Sequence, residues 1–247
     1  MGLKLTSNET LAPWYSKVVP PVTRNLEAWF TFDTDVSRFP LNRAIGKPRA
    51  TVMGQPVAYP THGRFKGNTN YLVTQVKDVT DVTLFAVVRA VTVPTSNADG
   101  IAPVSSYTGN SLDPQLTGAS GGSSLFLRAN QVVSAGMARK VSGAYNLELL
   151  NLVGGEHTAW RLLVVKSKSG GKSKVYDLTF NTENTGTDIN PRLPNDQFFR
   201  IGSATRDYAG ESDISAVAIY STDLTDDEVR SVAESMRKRM ARLGIAV

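Results

Sequence analysis

The segment GESDISAVAIYSTDLTDDEV, residues 210–229, holds six carboxylates in a chain whose formal net charge is +5, and the architecture follows from what those acids do. Two interpretations compete, a catalytic or metal-binding acidic cluster and a set of structural acids. Thr225-Asp226-Asp227-Glu228 has the spacing of a capping box. The Thr225 hydroxyl accepts the Glu228 backbone N–H, and the Glu228 carboxylate reaches back to the N–H of Thr225. Asp226 and Asp227 then fall in a first helical turn, where the helix dipole stabilises negative charge. Glu211 and Asp213 precede the apolar run ISAVAIY and are expected at the exposed entry of a strand. On this reading the acids mark a strand followed by a helix start. None of them demands chemistry.

Downstream, Val229, Val232, Ala233, Met236, Met240 and Leu243 recur at three- and four-residue spacing and form one apolar stripe. This predicts a helix over 226–243, ended by Gly244. Arg237, Lys238, Arg239 and Arg242 are expected to form its solvated, dipole-matched C-terminal end.

Upstream, short strand-like segments follow one another without intervening helices. LEAWFTF (26–32) places Leu26, Ala28, Phe30 and Phe32 on one face. YLVTQV, VTLFAVVRAV, SLFLRA, YNLELLNLV, WRLLVVKS, KVYDLTF and FFRIGS continue the pattern, divided by glycine turns. KSGGKS, between WRLLVV and KVYDLTF, predicts an antiparallel hairpin. At 247 residues, all of this fits one domain: an all-β antiparallel sandwich with one C-terminal helix, over 25–247. Residues 1–24 are irregular and proline-rich. They read either as an arm that docks on a partner through Trp14 and Tyr15, or as a lead-in strand of the sandwich itself.

The closing segment resembles that of laminin-G-like and concanavalin A-like jelly-roll domains. The matching positions are Ile201-Gly202, Gly210, Ile214, Ile219-Tyr220, Leu224-Thr225 and Glu228-Val229. LEAWFTFD is similar to that family's opening strand, GRFKGNTNYLVT to a hairpin, and WRLLVVKSKSGGKSKVYDLTF to its Trp-led strand and hairpin. The chain departs from the family at Tyr176-Asp177-Leu178, where a Tyr-x-Asp-Gly turn is usual. PVTRNLEAWFTFDTD, NRAIGKPRATVMGQPVAYPTHGRFKG and PRLPNDQFFRIGSA also resemble segments of tailed-bacteriophage tail or fibre proteins. That resemblance implies a virion protein made in the host cytoplasm, with self-association and other virion proteins as partners.

Composition narrows the chemistry. A hydrophobic content of 41% with 20% charged residues suits a packed core. There is no cysteine, and His62 and His157 are the only histidines, so neither a disulfide scaffold nor a usual zinc site is expected. The excess of basic residues is too small to imply nucleic acid, and no apolar run is long enough to span a membrane. The N-terminal residues lack the apolar core of a signal peptide.

Glycoside hydrolases of this fold need two carboxylates facing each other across a cleft. In the resembling family these sit as Glu-x-Asp-x-x-Glu or Glu-x-Asp-x-Glu, a spacing absent here. Glu148 is a lone acid in an apolar strand, and the neighbours Glu156 and His157 point apart in a loop. No Gly-x-Ser-x-Gly elbow occurs. Asp33 with Asp35, and Asp207 with Glu211 and Asp213, form no ordered calcium loop and read as turn residues. No cofactor and no metal are expected. A non-catalytic member of this fold most naturally binds carbohydrate, by stacking sugars on exposed aromatics with polar groups beside them. Trp29 and Trp160 lie in strands and are expected in the core. Tyr107 and Tyr208 lie in loops, with Arg206 and Asp207 as hydrogen-bonding partners, and form the candidate site for host-surface glycan. The alternative is a purely structural virion or decoration protein.

Overall fold

The computed structural model describes residues 20–247. In chain order the strands are β1 (Leu26–Thr31), β2 (Thr51–Met53), β3 (Val57–Ala58), β4 (Gly63–Lys66), β5 (Tyr71–Lys77) and β6 (Val82–Ala90). They continue as β7 (Ile101–Ser105), β8 (Gly109–Asn110), β9 (Ala119–Ser120), β10 (Ser124–Arg128), β11 (Val132–Val141) and β12 (Ala144–Val153). The last are β13 (Arg161–Ser167), β14 (Lys174–Asp177), β15 (Thr182–Thr185), β16 (Phe198–Ile201) and β17 (Glu211–Tyr220), followed by helix α1 (Asp226–Arg242).

Two large antiparallel sheets form a sandwich. Sheet A has the order β15-β14-β13-β6-β17-β4-β3, with β1 also paired to β17. Sheet B has the order β12-β11-β10-β7-β16-β5-β2, and β8–β9 form a small separate ribbon. The inner faces meet around Phe30, Phe65, Leu84, Leu163, Phe199 and Val217. Leu26 does not share their face: a register shift between Leu26 and Ala28 turns it to the outer side.

The central strand β6 is buried along nearly its whole length because it is covered on both sides. Leu84, Ala86 and Val88 face sheet B, while Phe85 and Val87 face α1. The helix lays Val229, Val232, Ala233, Met236 and Met240 on this outer face, beside Trp29. Its capping box is present in full, with Glu228 N donating to Thr225 Oγ1 at 3.2 Å and Thr225 N donating to Glu228 Oε2 at 2.8 Å. Glycine at 244, with φ of 71°, follows the Leu243 cap in the left-handed region.

Four sequence expectations change. GRFKGNTNYLVT is no hairpin but a corner: β4 belongs to sheet A and β5 to sheet B, tied only by a bridge between Lys66 and Asn70. The helix end is not wholly solvated, since Arg239 folds under it and donates to Phe32 O (3.2 Å) and Ser215 Oγ (2.7 Å). Glu148 is not alone, because buried Arg139 donates to it at 2.8 Å. Trp160 precedes β13 and is only half-buried, whereas Trp29 is in the core. Residues 20–24 lie on the domain: Val22 packs against the cluster under α1, and Arg24 Nε donates to Glu228 at 2.6 Å. Trp14 and Tyr15 lie outside the described residues.

Candidate functional site

On the outer face of sheet B, no described element plays the part that α1 plays on sheet A. Strand alternation sends Phe126 of β10 and Leu147 and Leu149 of β12 outward, while Leu125, Leu127, Leu150 and Leu152 fill the core. Gly136 of β11, opposite Leu149 in register, leaves room for the Phe126 ring: a Cβ there would sit 3.0 Å from Phe126.

The loop after β16 closes over Phe126. Tyr208 stacks on it with centroids 4.3 Å apart, and Tyr107 stands edge-on to both rings at 5.4 and 5.9 Å. The guanidinium of Arg206 lies 5.9 Å from the Tyr107 centroid, and its side chain is 65% exposed. Asp207 is 3.8 Å from Arg206. The four residues named from the sequence are thus brought together.

Their roles differ from the expectation in one respect. Tyr208 is 7% exposed, so its ring is the floor of the patch rather than a platform open to solvent. The surface that a ligand could touch comes from half-buried Tyr107, exposed Arg206, and two residues the sequence reading missed, Tyr145 and Leu149, which are 43% and 42% exposed. Their signal was the alternation in YNLELLNLV, which is apolar on both faces where an edge strand with one solvated face would be polar on one.

The loop is held under strain. Asp207 and Tyr208 have φ of 53° and 50°, in the left-handed region that a bulky side chain rarely adopts. Tyr208 N and Ala209 N donate to Asn97 O (3.2 Å) and Ala98 O (2.8 Å), and Asn68 Nδ2 donates to Asp207 O (3.0 Å). Residue 67 must be glycine, because a Cβ there would come 1.9 Å from Tyr208 O. Thr205 Oγ1 donates to Tyr107 O and Thr108 O, joining the two loops.

A second constellation lies on the outer face of sheet A, beside the area covered by α1. A register shift between Ile214 and Ala216 resets the alternation of β17, so that Asp213, Ala216, Ala218 and Tyr220 all face outward. Asp213 therefore does not sit at an exposed strand entry; it is fully buried. Arg64 and Arg89 stand opposite it on the two neighbouring strands. Arg64 Nε donates to Asp213 Oδ1 at 2.8 Å, Arg89 Nε donates to Oδ2 at 3.0 Å, and His62 Nε2 is 3.3 Å from Oδ2. Burial pushes the Asp213 carboxyl up, but His62 and Arg64, then Arg89, hold it well below the usual carboxylate range. Arg64 stacks over Tyr59 at 4.9 Å and Arg89 over Trp160 at 5.0 Å. With its oxygens claimed by cations, Asp213 is no calcium ligand.

His157 is likewise engaged. Arg161 Nη1 donates to its Nδ1 at 2.9 Å, and its Nε2 lies 3.0 Å from Arg128 O, which fixes the neutral tautomer carrying its proton on Nε2. Burial, then the charge of Arg161, pushes it down to about 4. Exposed Glu156 instead accepts from Thr158, so no Glu156–His157 acid–base pair forms. Among the described residues no three His, Asp or Glu side chains converge on a metal-sized gap.

The arrangement of the strands and sheets matches receptor-binding domains of botulinum neurotoxins. The domain of the C/D mosaic serotype matches with TM-score 0.59 and 10% identity, over 86% of this chain and 52% of that one. The fold is a jelly-roll-like β-sandwich. A serotype DC binding domain in complex with SialylT gives TM-score 0.58 and 10% identity over 87% and 52%. The serotype C1 binding domain gives 0.58 and 11% over 86% and 52%. At these identities the likeness shows the fold alone, and the chain spans about half the length of the toxin domains. No family model matches the sequence, and no curated protein matches it.

Proposed function

We propose that the chain is a non-enzymatic sandwich of the laminin-G/concanavalin A-like type, a component of a tailed-phage virion that binds host-surface carbohydrate through the outer face of sheet B. The observation that carries the sugar reading is the patch of Tyr107, Tyr145 and Leu149 with Arg206 at its rim, built on a strained and well-anchored loop. An apolar face of a pyranose stacks on such rings, and a guanidinium and a carboxylate beside them select hydroxyl positions. A bulky residue held in the left-handed region, as Tyr208 is, is one of the features found at ligand sites. The complex of a toxin binding domain with SialylT adds support by analogy of fold only. The virion setting, self-association and contacts with other virion proteins rest on the resemblance of the sequence segments.

Glycan-array binding of the whole chain, wild type against Tyr107→Ala with Tyr145→Ala, tests the reading. Binding by the wild type that falls at least tenfold in the double variant is expected. Wild-type binding unchanged in the variant would place the site elsewhere. No binding, by monomer or by any self-associated form, would favour a purely structural virion protein. Release of reducing ends from a bound polysaccharide would contradict the non-enzymatic assignment.

A further inference from the structure

Two clusters of arginine around one aspartate lie along the outer face of sheet A, and they differ in one respect. In the first, Asp213 is touched directly by Arg64 and Arg89, so charge and hydrogen-bonding capacity are matched within the protein. The second gathers Asp33 at the end of β1, Arg38 and Arg43 on the strap after it, and Arg239 from α1. Here the only approach within ion-pair range is Arg38 Nη1 to Asp33 Oδ1, at 4.0 Å. Among the described residues, neither the Asp33 carboxylate nor the Arg43 guanidinium has a hydrogen-bond partner, and the Arg43 Nε is out of contact with solvent. Arg38 thus approaches Asp33 without a close contact and also acts on Asp35, while Arg43 and Arg239 add two positive charges for which Asp33 makes no ion pair.

The electrostatics agree with the geometry. Burial, then the charge of Arg38, pushes the Arg43 guanidinium down. Burial pushes Arg239 down to about 10, Asp33 opposing and Arg43 adding to the shift. Arg239 is held in place by its bonds to Phe32 O and Ser215 Oγ, and Ser215 Oγ in turn donates to Thr61 O at 2.6 Å. Arg239 is therefore fixed and cannot swing out to relieve the repulsion. A buried donor without an acceptor is destabilising, and more so when it is charged. An anionic oxygen at the Arg43 guanidinium would supply the acceptor that it lacks, and its charge would offset that of Arg38.

We infer that Arg43, with Arg38 and Arg239 adding positive charge beside it, forms a binding site for an oxyanion: a carboxylate, sulfate or phosphate group. Its source is either a free inorganic anion or an acidic saccharide. Neither depends on the sugar reading above, because this site is on the opposite face of the sandwich from Tyr107 and Tyr145.

The test is thermal unfolding and titration calorimetry of the whole chain at constant ionic strength, with chloride replaced stepwise by sulfate, by inorganic phosphate, or by a hexuronic-acid oligosaccharide. Arg43→Gln is the informative variant, because this side chain has no partner to lose among the described residues, and Arg230→Gln, an exposed arginine paired with Asp227, is the control. Sulfate raises the Tm of most proteins by exclusion from their surface, so the difference between variants is the quantity read. Arg43→Gln is expected to be at least as stable as wild type in chloride, and to lose at least tenfold in affinity for the anion while Arg230→Gln does not. Tighter Arg43-dependent binding of the oligosaccharide than of phosphate would identify a saccharide as the source, and the reverse a free anion. Equal shifts in wild type and Arg43→Gln with every anion, or a less stable Arg43→Gln in chloride, would overturn the inference.

Discussion

At the scale of single residues, stability is tied to charges buried beside partners. Asp213 holds two arginines that are each about one-third exposed, so its removal leaves both without a counter-charge at the sheet surface. Asp213→Asn keeps the shape and removes the charge, and should cost about 3 kcal/mol in urea unfolding, near the lower end for breaking a buried pair. His157 gives a pH signature. Its folded value of about 4 lies below the ordinary 6.5, so between these limits the unfolded chain takes up a proton that the folded chain refuses. Stability is therefore full above pH 6.5 and falls as the pH drops toward 4, by at most about 3 kcal/mol. His157→Gln should flatten the urea-unfolding free energy between pH 6.5 and 4.5. An unchanged slope would show that another group titrates there. Tyr208 belongs with these buried groups: Tyr208→Ala should lower stability by about 3 kcal/mol, which makes it a poor probe of binding.

At the scale of elements, the most legible parts were those governed by local rules. The Thr225–Glu228 capping box needs only its own four residues, and both of its bonds form. Thr225→Ala should cost about 1 kcal/mol, with the loss of helix seen in far-ultraviolet circular dichroism near the unfolding midpoint. The hairpin at KSGGKS and the apolar run of β6 were legible for the same reason. What failed depended on distant partners. The orientation of Asp213 turns on a bulge at Ser215 that no pattern in ISAVAIY announces, and the corner at Gly67 looks locally like a hairpin although its two strands serve different sheets. Within the candidate site, Tyr107, Arg206, Asp207 and Tyr208 could be named because loop aromatics beside polar residues are visible in sequence. The burial of Tyr208 and the contribution of Tyr145 required the register of β10, β11 and β12, which sequence alone does not supply.

At the scale of the molecule, the two faces of the sandwich are used differently. The outer face of sheet A is occupied by α1 and by two arginine clusters, one closed on Asp213 and one open around Asp33. The outer face of sheet B presents rings and leucines around a strained loop, on a fold shared with much longer receptor-binding domains. We propose that this face binds carbohydrate. This is tested most directly by titrating the best array glycan into wild type, Arg206→Ala and Arg230→Gln, the last altering only an exposed arginine of α1 on the opposite side. Arg206→Ala is expected to weaken binding at least tenfold with an unchanged Tm, and Arg230→Gln to bind as wild type does. Equal affinity for wild type and Arg206→Ala would contradict it.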